Sequence, residues 1–125
     1  MNREIKFRAW QSQEKKMYIQ GNTVDENRKV FWHTWENKSH ISEPMQFTGL
    51  LDKNRNEIYE GDIVRCGYGF GKVIFSSGSF MVEWIDDKEA NMELLSTRNN
   101  RNKRKGEDEF EIIGNVFQNL ELLNP

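Results

Sequence analysis

The sequence is poor in cysteine, histidine and long apolar runs, and each shortage excludes a class of protein. Cys66 is the only cysteine among 125 residues, so no disulfide forms within one chain, and a reducing cytoplasm is the expected compartment. No apolar run approaches the ~20 residues of a membrane-spanning helix. No hydrophobic segment follows the first residues, so a secretory signal is not expected. With one cysteine and two histidines, we also expect no structural metal and no cofactor.

Charge is nearly balanced, whereas large aromatic side chains are abundant. The chain has 18 basic and 20 acidic residues, a net charge of −2, and only 36% hydrophobic residues. Aromatic residues make up 12% and include four Trp and eight Phe. Because each large aromatic side chain buries roughly 150–250 Å², a short chain can build a core from few of them. We therefore expect one small globular domain, or one domain with a small appendage.

The first third of the chain has an apolar pattern of period two, which is typical of half-buried strands. This pattern predicts strands over residues 4–10, 17–19 and 29–35. The segment between residue 37 and Pro44 is polar and has no period, which favours a loop. We therefore predict an N-terminal β region over residues 1–44.

Short strands separated by glycine and Asp/Asn turns follow Pro44, and this spacing is typical of a small SH3-like barrel. The barrel is expected over residues 45–125, with a variable basic insertion at about 96–109 and little helix. Residues 86–95 are expected to form one helical turn or an irregular link, and residues 120–123 a terminal helical turn or a docking segment. Barrel strands are predicted at residues 45–50, 62–66, 71–76, 79–85 and 110–117.

The alternation also predicts which side chains form the barrel core. If Phe75 is one of them, its replacement by Ala should lower the free energy of unfolding by ~3–5 kcal/mol. The predicted core residues are Phe47, Leu50, Ile63, Val73, Phe75, Phe80, Val82, Ile112 and Val116.

Three groups of motifs resemble the YopX family of bacteriophage and prophage proteins. The first is Ile-Lys-Phe-Arg-Ala-Trp at residues 5–10. The second combines Phe-Thr-Gly-Leu at 47–50, Asp-Lys-Asn at 52–54 and Glu-Ile-Tyr-Glu-Gly-Asp-Ile-Val at 57–64. The third is Ile-Ile-Gly-Asn-Val-Phe-Gln-Asn at 112–119 with Glu-Leu-Leu at 121–123. The resemblance implies a phage-encoded, mainly β protein that self-associates and has no assigned biochemical function or catalytic residues.

The sequence departs from the family pattern at three turn positions. Arg55 stands where the family usually has Gly, Leu51 where a polar residue is more usual, and Leu120 where Pro is common. Gly is favoured in such a turn because it takes positive φ without strain. We therefore expect an Asn of the Asn54-Arg55-Asn56 turn to take the left-handed conformation instead.

Catalysis requires a nucleophile and a base within reach of each other, or paired carboxylates. Glu60-Gly61-Asp62 is better explained as turn chemistry, with Asp62 accepting backbone N–H groups. The two histidines match no metal-binding spacing, and a lone cysteine is more often a small buried side chain than a nucleophile. We therefore do not expect an enzyme. The candidates considered are His33, His40, Glu57, Glu60, Asp62 and Cys66.

A basic run favours nucleic-acid binding, because phosphate contacts by several cations give salt-dependent affinity. Aromatic side chains between glycines at residues 67–71 could stack on bases. Against this interpretation, the net charge is −2 and acidic residues 107–109 follow the run directly, whereas a whole-domain basic patch is the usual footprint. The candidate contacts are Arg98, Arg101, Lys103, Arg104, Lys105, Tyr68 and Phe70.

The excess of aromatic residues has two explanations that the sequence leaves open: they fill the core, or they form an interface, where Trp, Tyr and Phe are enriched. We expect a homo-oligomeric protein-interaction module that engages a host or phage protein in the bacterial cytoplasm, and no membrane. Nucleic-acid binding through residues 98–105 is the alternative function. The candidate interface residues are Trp10, Phe31, Trp32, Trp35 and Trp84.

Overall fold

The structure is a computed structural model that describes residues 5–20, 40–67, 69–85, 92–95 and 109–123. These residues form antiparallel strands and one short 3₁₀ helix, so the prediction of a mainly β protein with little helix is confirmed for them. The strands are β1 (Phe7–Gln11), β2 (Lys16–Gln20), β3 (Met45–Leu51), β4 (Glu57–Tyr59), β5 (Asp62–Cys66), β6 (Gly69–Ser76), β7 (Ser79–Trp84), β8 (Met92–Leu94) and β9 (Glu111–Asn115), and the 3₁₀ helix is Leu120–Leu123.

Each predicted strand that the structure describes overlaps an observed strand, because alternation identifies half-buried strands directly, although several of the predicted limits differ from the observed ones. The strand predicted at residues 29–35 lies outside the described residues. One prediction was wrong: within residues 86–95, the described part forms strand β8 instead of a helical turn or an irregular link. Three residues are too few to display a period, and β8 exists because it pairs with β7.

The chain divides into two compact units, and the division falls within β3, between Gly49 and Leu50. The domain boundary predicted after Pro44 precedes this strand and stays a prediction. In the first unit, β1 pairs along its whole length with β2, and Phe7 and Arg8 also pair with the start of β3. Among the described residues of this unit, the buried apolar side chains are Ala9, Trp10, Met45 and Phe47.

The second unit contains a five-stranded antiparallel sheet with the strand order β8-β7-β6-β5-β9. Strands β6 and β7 form a hairpin whose two turn residues, Ser77 and Gly78, have φ of 53° and 81°. Two positive φ angles define the turn that matches the natural twist of a hairpin. This turn joins the strands predicted at residues 71–76 and 79–85 into a hairpin.

The inner face of this sheet carries the core of the second unit. Val73 and Val82 are directly opposed and fully buried, as the alternation predicts. The partly buried side chains of Phe80, Trp84 and Ile112 pack against the same cluster. The fully buried cluster consists of Ile58, Val64, Val73, Val82, Leu95 and Phe110.

The prediction that Phe75 belongs to the core was wrong, because Phe75 is 53% exposed. Its partner is Phe80, whose ring lies 5.1 Å away in an edge-on arrangement. Phe75 and Phe80 are one residue pair from the hairpin turn, so Phe75 is at the margin of the core although it alternates in phase with Val73. Alternation gives the face of a side chain but not how far the core extends along the strand.

Strands β5 and β9 are joined by an irregular register. Ile63 pairs with Gly114, whereas the next residue, Val64, pairs with Ile112, so Ile113 is left without a direct partner. One unpaired residue in an antiparallel pair is a β-bulge. The bulge lies within the strand predicted at residues 110–117.

The turn between β3 and β4 corrects a prediction about backbone conformation. Arg55, not an Asn, has the positive φ of 69°. The Asp52 carboxylate accepts hydrogen bonds from the backbone N–H groups of Asn54 (2.9 Å) and Asn56 (2.8 Å), and these bonds fix the turn around Arg55. Arg55 therefore takes the left-handed conformation at the position where the family usually has Gly, at a steric cost of about 1–2 kcal/mol.

Candidate interaction surface

Strands β6, β7 and β8 place an apolar row on the outer face of the five-stranded sheet, which is opposite to the buried core. Ile74 is directly opposite Met81, and Met81 is directly opposite Leu94. Opposed residues on neighbouring strands share a face, and residues two apart on one strand share it too. Met92 therefore joins the row. We call Ile74, Met81, Met92 and Leu94 the apolar strip.

The apolar strip is accessible to solvent. Met92 is 48% exposed and Leu94 is 47% exposed, while Ile74 and Met81 are half-buried. Single exposed apolar side chains are ordinary, but adjacent ones on three strands make a continuous patch, which is typical of interaction sites. Two of the four are methionines, whose flexible side chains adapt to different partners.

Charged pairs lie beside the apolar strip on the same outer face. Lys72 Nζ lies 3.8 Å from Glu83 Oε1, and these residues are directly opposed on β6 and β7. Farther along the sheet, Arg65 Nη2 lies 2.8 Å from Glu111 Oε1. Each positive charge therefore has a negative neighbour, so the face has no strong field of one sign.

The electrostatics of Glu111 follow from this arrangement. A hydrogen bond from Arg65 Nε (2.9 Å) is the main reason that the pKa of Glu111 lies below its usual value. The positive charges of Lys53 and Arg65 and a hydrogen bond from the Asn54 amide lower this pKa further. Glu111 is therefore ionised over a wider pH range than a free glutamate.

The carboxylates considered as catalytic candidates make local structural contacts. Asp62 is buried and accepts a hydrogen bond from the backbone N–H of Tyr59 (2.8 Å). Glu57 Oε1 lies 3.5 Å from the Tyr59 hydroxyl. Cys66 packs against the core cluster. Within the described ranges, no three His, Cys, Asp or Glu side chains lie close enough together to hold a metal ion.

The structure places some of the predicted site residues and not others. Phe70 lies on the outer face, directly opposite Arg65. Trp10 is 9% exposed in the first unit. Trp84 lies on the inner face of the sheet, where its ring centroid is 6.0 Å from that of Phe110. Their role at an interface therefore stays a prediction. The residues outside the described ranges are Phe31, Trp32, His33, Trp35, Tyr68, Arg98, Arg101, Lys103, Arg104 and Lys105.

Sequence reasoning did not single out the apolar strip, although part of its signal was present. Val73 and Val82 alternate with Ile74 and Met81, which shows that β6 and β7 have apolar residues on both faces. Such a strand is either buried on both sides or lines an interface. Met92 and Leu94 gave no comparable signal, because β8 was not predicted.

The described residues thus define an antiparallel β protein with buried motif carboxylates and an exposed apolar strip. The family model described as YopX protein matches residues 6–124, nearly the whole chain. The chain therefore belongs to the YopX family, as its motifs suggested.

A solved structure, the crystal structure of protein EF1440 from Enterococcus faecalis, has a similar fold. The TM-score is 0.60 and the sequence identity is 24%, over 96% of this chain and 98% of that chain. At this identity the similarity concerns the fold alone. A search of curated proteins found no match. Among the described residues, no helix has the length and apolar character needed to cross a membrane.

Proposed function

We propose that this chain is a phage- or prophage-encoded accessory protein that acts by binding in the bacterial cytoplasm, without catalysis. It forms homo-oligomers and engages a host or phage protein. The observation that carries the proposal is the exposed apolar strip on β6, β7 and β8, with Met92 and Leu94 nearly half exposed. Removing such a patch from water favours association by roughly 25 cal/mol per Å² of apolar surface, before the costs of association.

A second copy of the chain is the partner that we propose for the apolar strip. Most soluble oligomers are assembled from identical chains through one surface used twice. Lys72 and Glu83 border the strip as a pair of opposite charge, so two copies can approach without a strong like-charge field. The net charge of −2 is small, so the overall repulsion between two copies is weak.

Sedimentation velocity of the full chain and of Leu94→Lys tests this proposal. We expect the wild type to sediment as a discrete oligomer and Leu94→Lys to sediment as a smaller species, because a charge in the strip must be desolvated on contact. Leu120→Lys is the matched control, since Leu120 is 60% exposed and lies outside the strip. A monomeric wild type would contradict self-association, and an unchanged Leu94→Lys oligomer would exclude the strip as its interface.

The same measurement distinguishes the alternative function, nucleic-acid binding. Mixed-sequence single-stranded and duplex oligonucleotides are added at low and moderate salt. A complex that weakens steeply with salt, and is lost when Arg101, Lys103, Arg104 and Lys105 are neutralised, would favour the alternative. On the described outer face, Phe70 lies opposite Arg65, but Arg65 is paired with Glu111. The negative charge of Glu111 would repel phosphate groups, which favours protein partners over nucleic acid.

A further inference from the structure

Along the edge of β9 that faces away from β5, several backbone groups form hydrogen bonds with other parts of the second unit. The backbone N–H of Ile112 donates a hydrogen bond to Asp52 Oδ2 (3.0 Å). The carbonyl of Phe110 accepts one from the N–H of Lys53 (2.9 Å). These two groups, a donor and an acceptor two residues apart, are the ones that an edge strand offers to a new neighbour.

At the C-terminal end of β9, backbone groups also form hydrogen bonds with a neighbouring segment. The N–H of Asn115 donates to the side-chain oxygen of Asn119 (3.1 Å), and the N–H of Asn119 donates back to the Asn115 carbonyl (2.9 Å). Side-chain oxygens of Asp52 and Asn119 thus stand where the backbone carbonyls of a neighbouring strand would stand. The bulge at Ile113 separates these two points of closure.

Asp52 is central to the first of these two groups of hydrogen bonds, the one at Phe110 and Ile112. Asp52 is 5% exposed, and its carboxylate accepts hydrogen bonds from three backbone N–H groups, two through Oδ1 within the turn and one through Oδ2 from β9. An ionised carboxylate is a stronger acceptor than a neutral oxygen. The same side chain therefore shapes the turn and holds it against the strand edge.

We infer that Asp52 is an edge cap that prevents a further strand from adding to β9. An uncovered edge strand is a template for pairing with another chain, and a backbone donor that already has a partner gains nothing from a new one. The cap leaves association to other surfaces of the molecule. It acts whether or not the apolar strip binds a second copy.

Hydrogen exchange of the full-length Asp52→Asn variant tests the first half of the inference. The neutral amide has one acceptor oxygen and presents an NH₂ group to the remaining backbone donors, so we expect the Ile112 amide to exchange about tenfold faster or more. The amides of Val73 and Val82 in the core should keep their protection. Glu121→Gln is the control, because it removes one negative charge from an exposed position.

Asp52→Ser is the second variant, in case the Asn variant does not fold. Its single hydroxyl can still accept an N–H of the turn but leaves no oxygen for Ile112. An Ile112 amide that exchanges as in the wild type would overturn the inference. So would exchange that accelerates equally at Val73 and Val82, because this pattern would indicate global destabilisation rather than an opened edge.

Sedimentation tests the second half of the inference in the Leu94→Lys background, where association through the apolar strip is disabled. We expect Asp52→Ser combined with Leu94→Lys to form larger species than Leu94→Lys alone, because the opened β9 edge pairs with another copy. Identical sedimentation of the two would show that the cap does not control strand addition. This result leaves the proposed function untouched, since that proposal depends on the effect of Leu94→Lys by itself.

Discussion

The two outer strands of the five-stranded sheet differ: β9 has backbone hydrogen bonds to neighbouring segments, whereas β8 has exposed apolar side chains. Beside β9, Asp52, Lys53 and Asn119 form hydrogen bonds with several backbone groups that face away from β5. The short strand β8 instead carries Met92 and Leu94, both nearly half exposed. The comparison teaches that one sheet can hydrogen-bond the backbone of one outer strand to a neighbouring turn and expose apolar side chains on the other outer strand.

The difference also separates the family motifs from the candidate contact surface. Asp52 belongs to the Asp-Lys-Asn motif, and Asn115 and Asn119 belong to the C-terminal motif, so motif residues build the closure of β9. The apolar strip lies outside all three motif groups.

The largest expected effect is a loss in the free energy of unfolding. Phe110 directly precedes β9 and is fully buried, so Phe110→Ala should lower the free energy of unfolding by about 3–5 kcal/mol. Phe75→Ala is the matched comparison, and its cost should be about 1 kcal/mol, because Phe75 is half exposed. Urea denaturation of both variants measures this, and equal losses would contradict the assigned core.

A second substitution should disrupt the hydrogen bond between Asn115 and Asn119 at the far end of β9. A Cβ atom at Gly114 would overlap the side chain of Asn119, which accepts the hydrogen bond of the Asn115 N–H. Gly114→Ala should therefore cost about 1–3 kcal/mol. In the Asn119→Ala background the same substitution should cost much less, because the overlapping atoms are gone. Additive costs in this double-mutant cycle would rule out the overlap as the cause.

Arg55→Gly should stabilise the turn that lies against β9. Arg55 has a φ of 69°, which costs about 1–2 kcal/mol for a residue with a Cβ. Glycine removes this cost but loses roughly 0.5–1 kcal/mol through its greater freedom in the unfolded chain. The expected net gain is up to about 1 kcal/mol in thermal or urea unfolding. Arg55→Ala is the control and should show no such gain.

The smallest expected effect is the pH dependence contributed by Glu111. Because its pKa is lowered in the folded protein, its contribution to stability is complete above the unfolded-state pKa. That contribution is lost as the pH falls through the lower folded-state pKa. The difference in unfolding free energy between wild type and Glu111→Gln should therefore shrink on acidification. A difference that is independent of pH would contradict the role of Arg65.

The sequence predicted the strands well, since alternation and turn residues are local signals. Strands β3 and β5 begin and end within one residue of their predicted limits. The sequence predicted less about the candidate site. Phe70 lies on the outer face, but the apolar strip was missed because it depends on the pairing of Met81 with Leu94.

The sequence by itself determined the family, the mainly β class and the positions of the turns, because each rests on residues close together in the chain. Only the tertiary structure decided that Asp52 meets Ile112, which is 60 residues away, and that Phe75 lies beyond the margin of the core. A period of two assigns a side chain to a face of a strand. What covers that face, and which edge of the sheet is capped, depends on segments that only folding brings together.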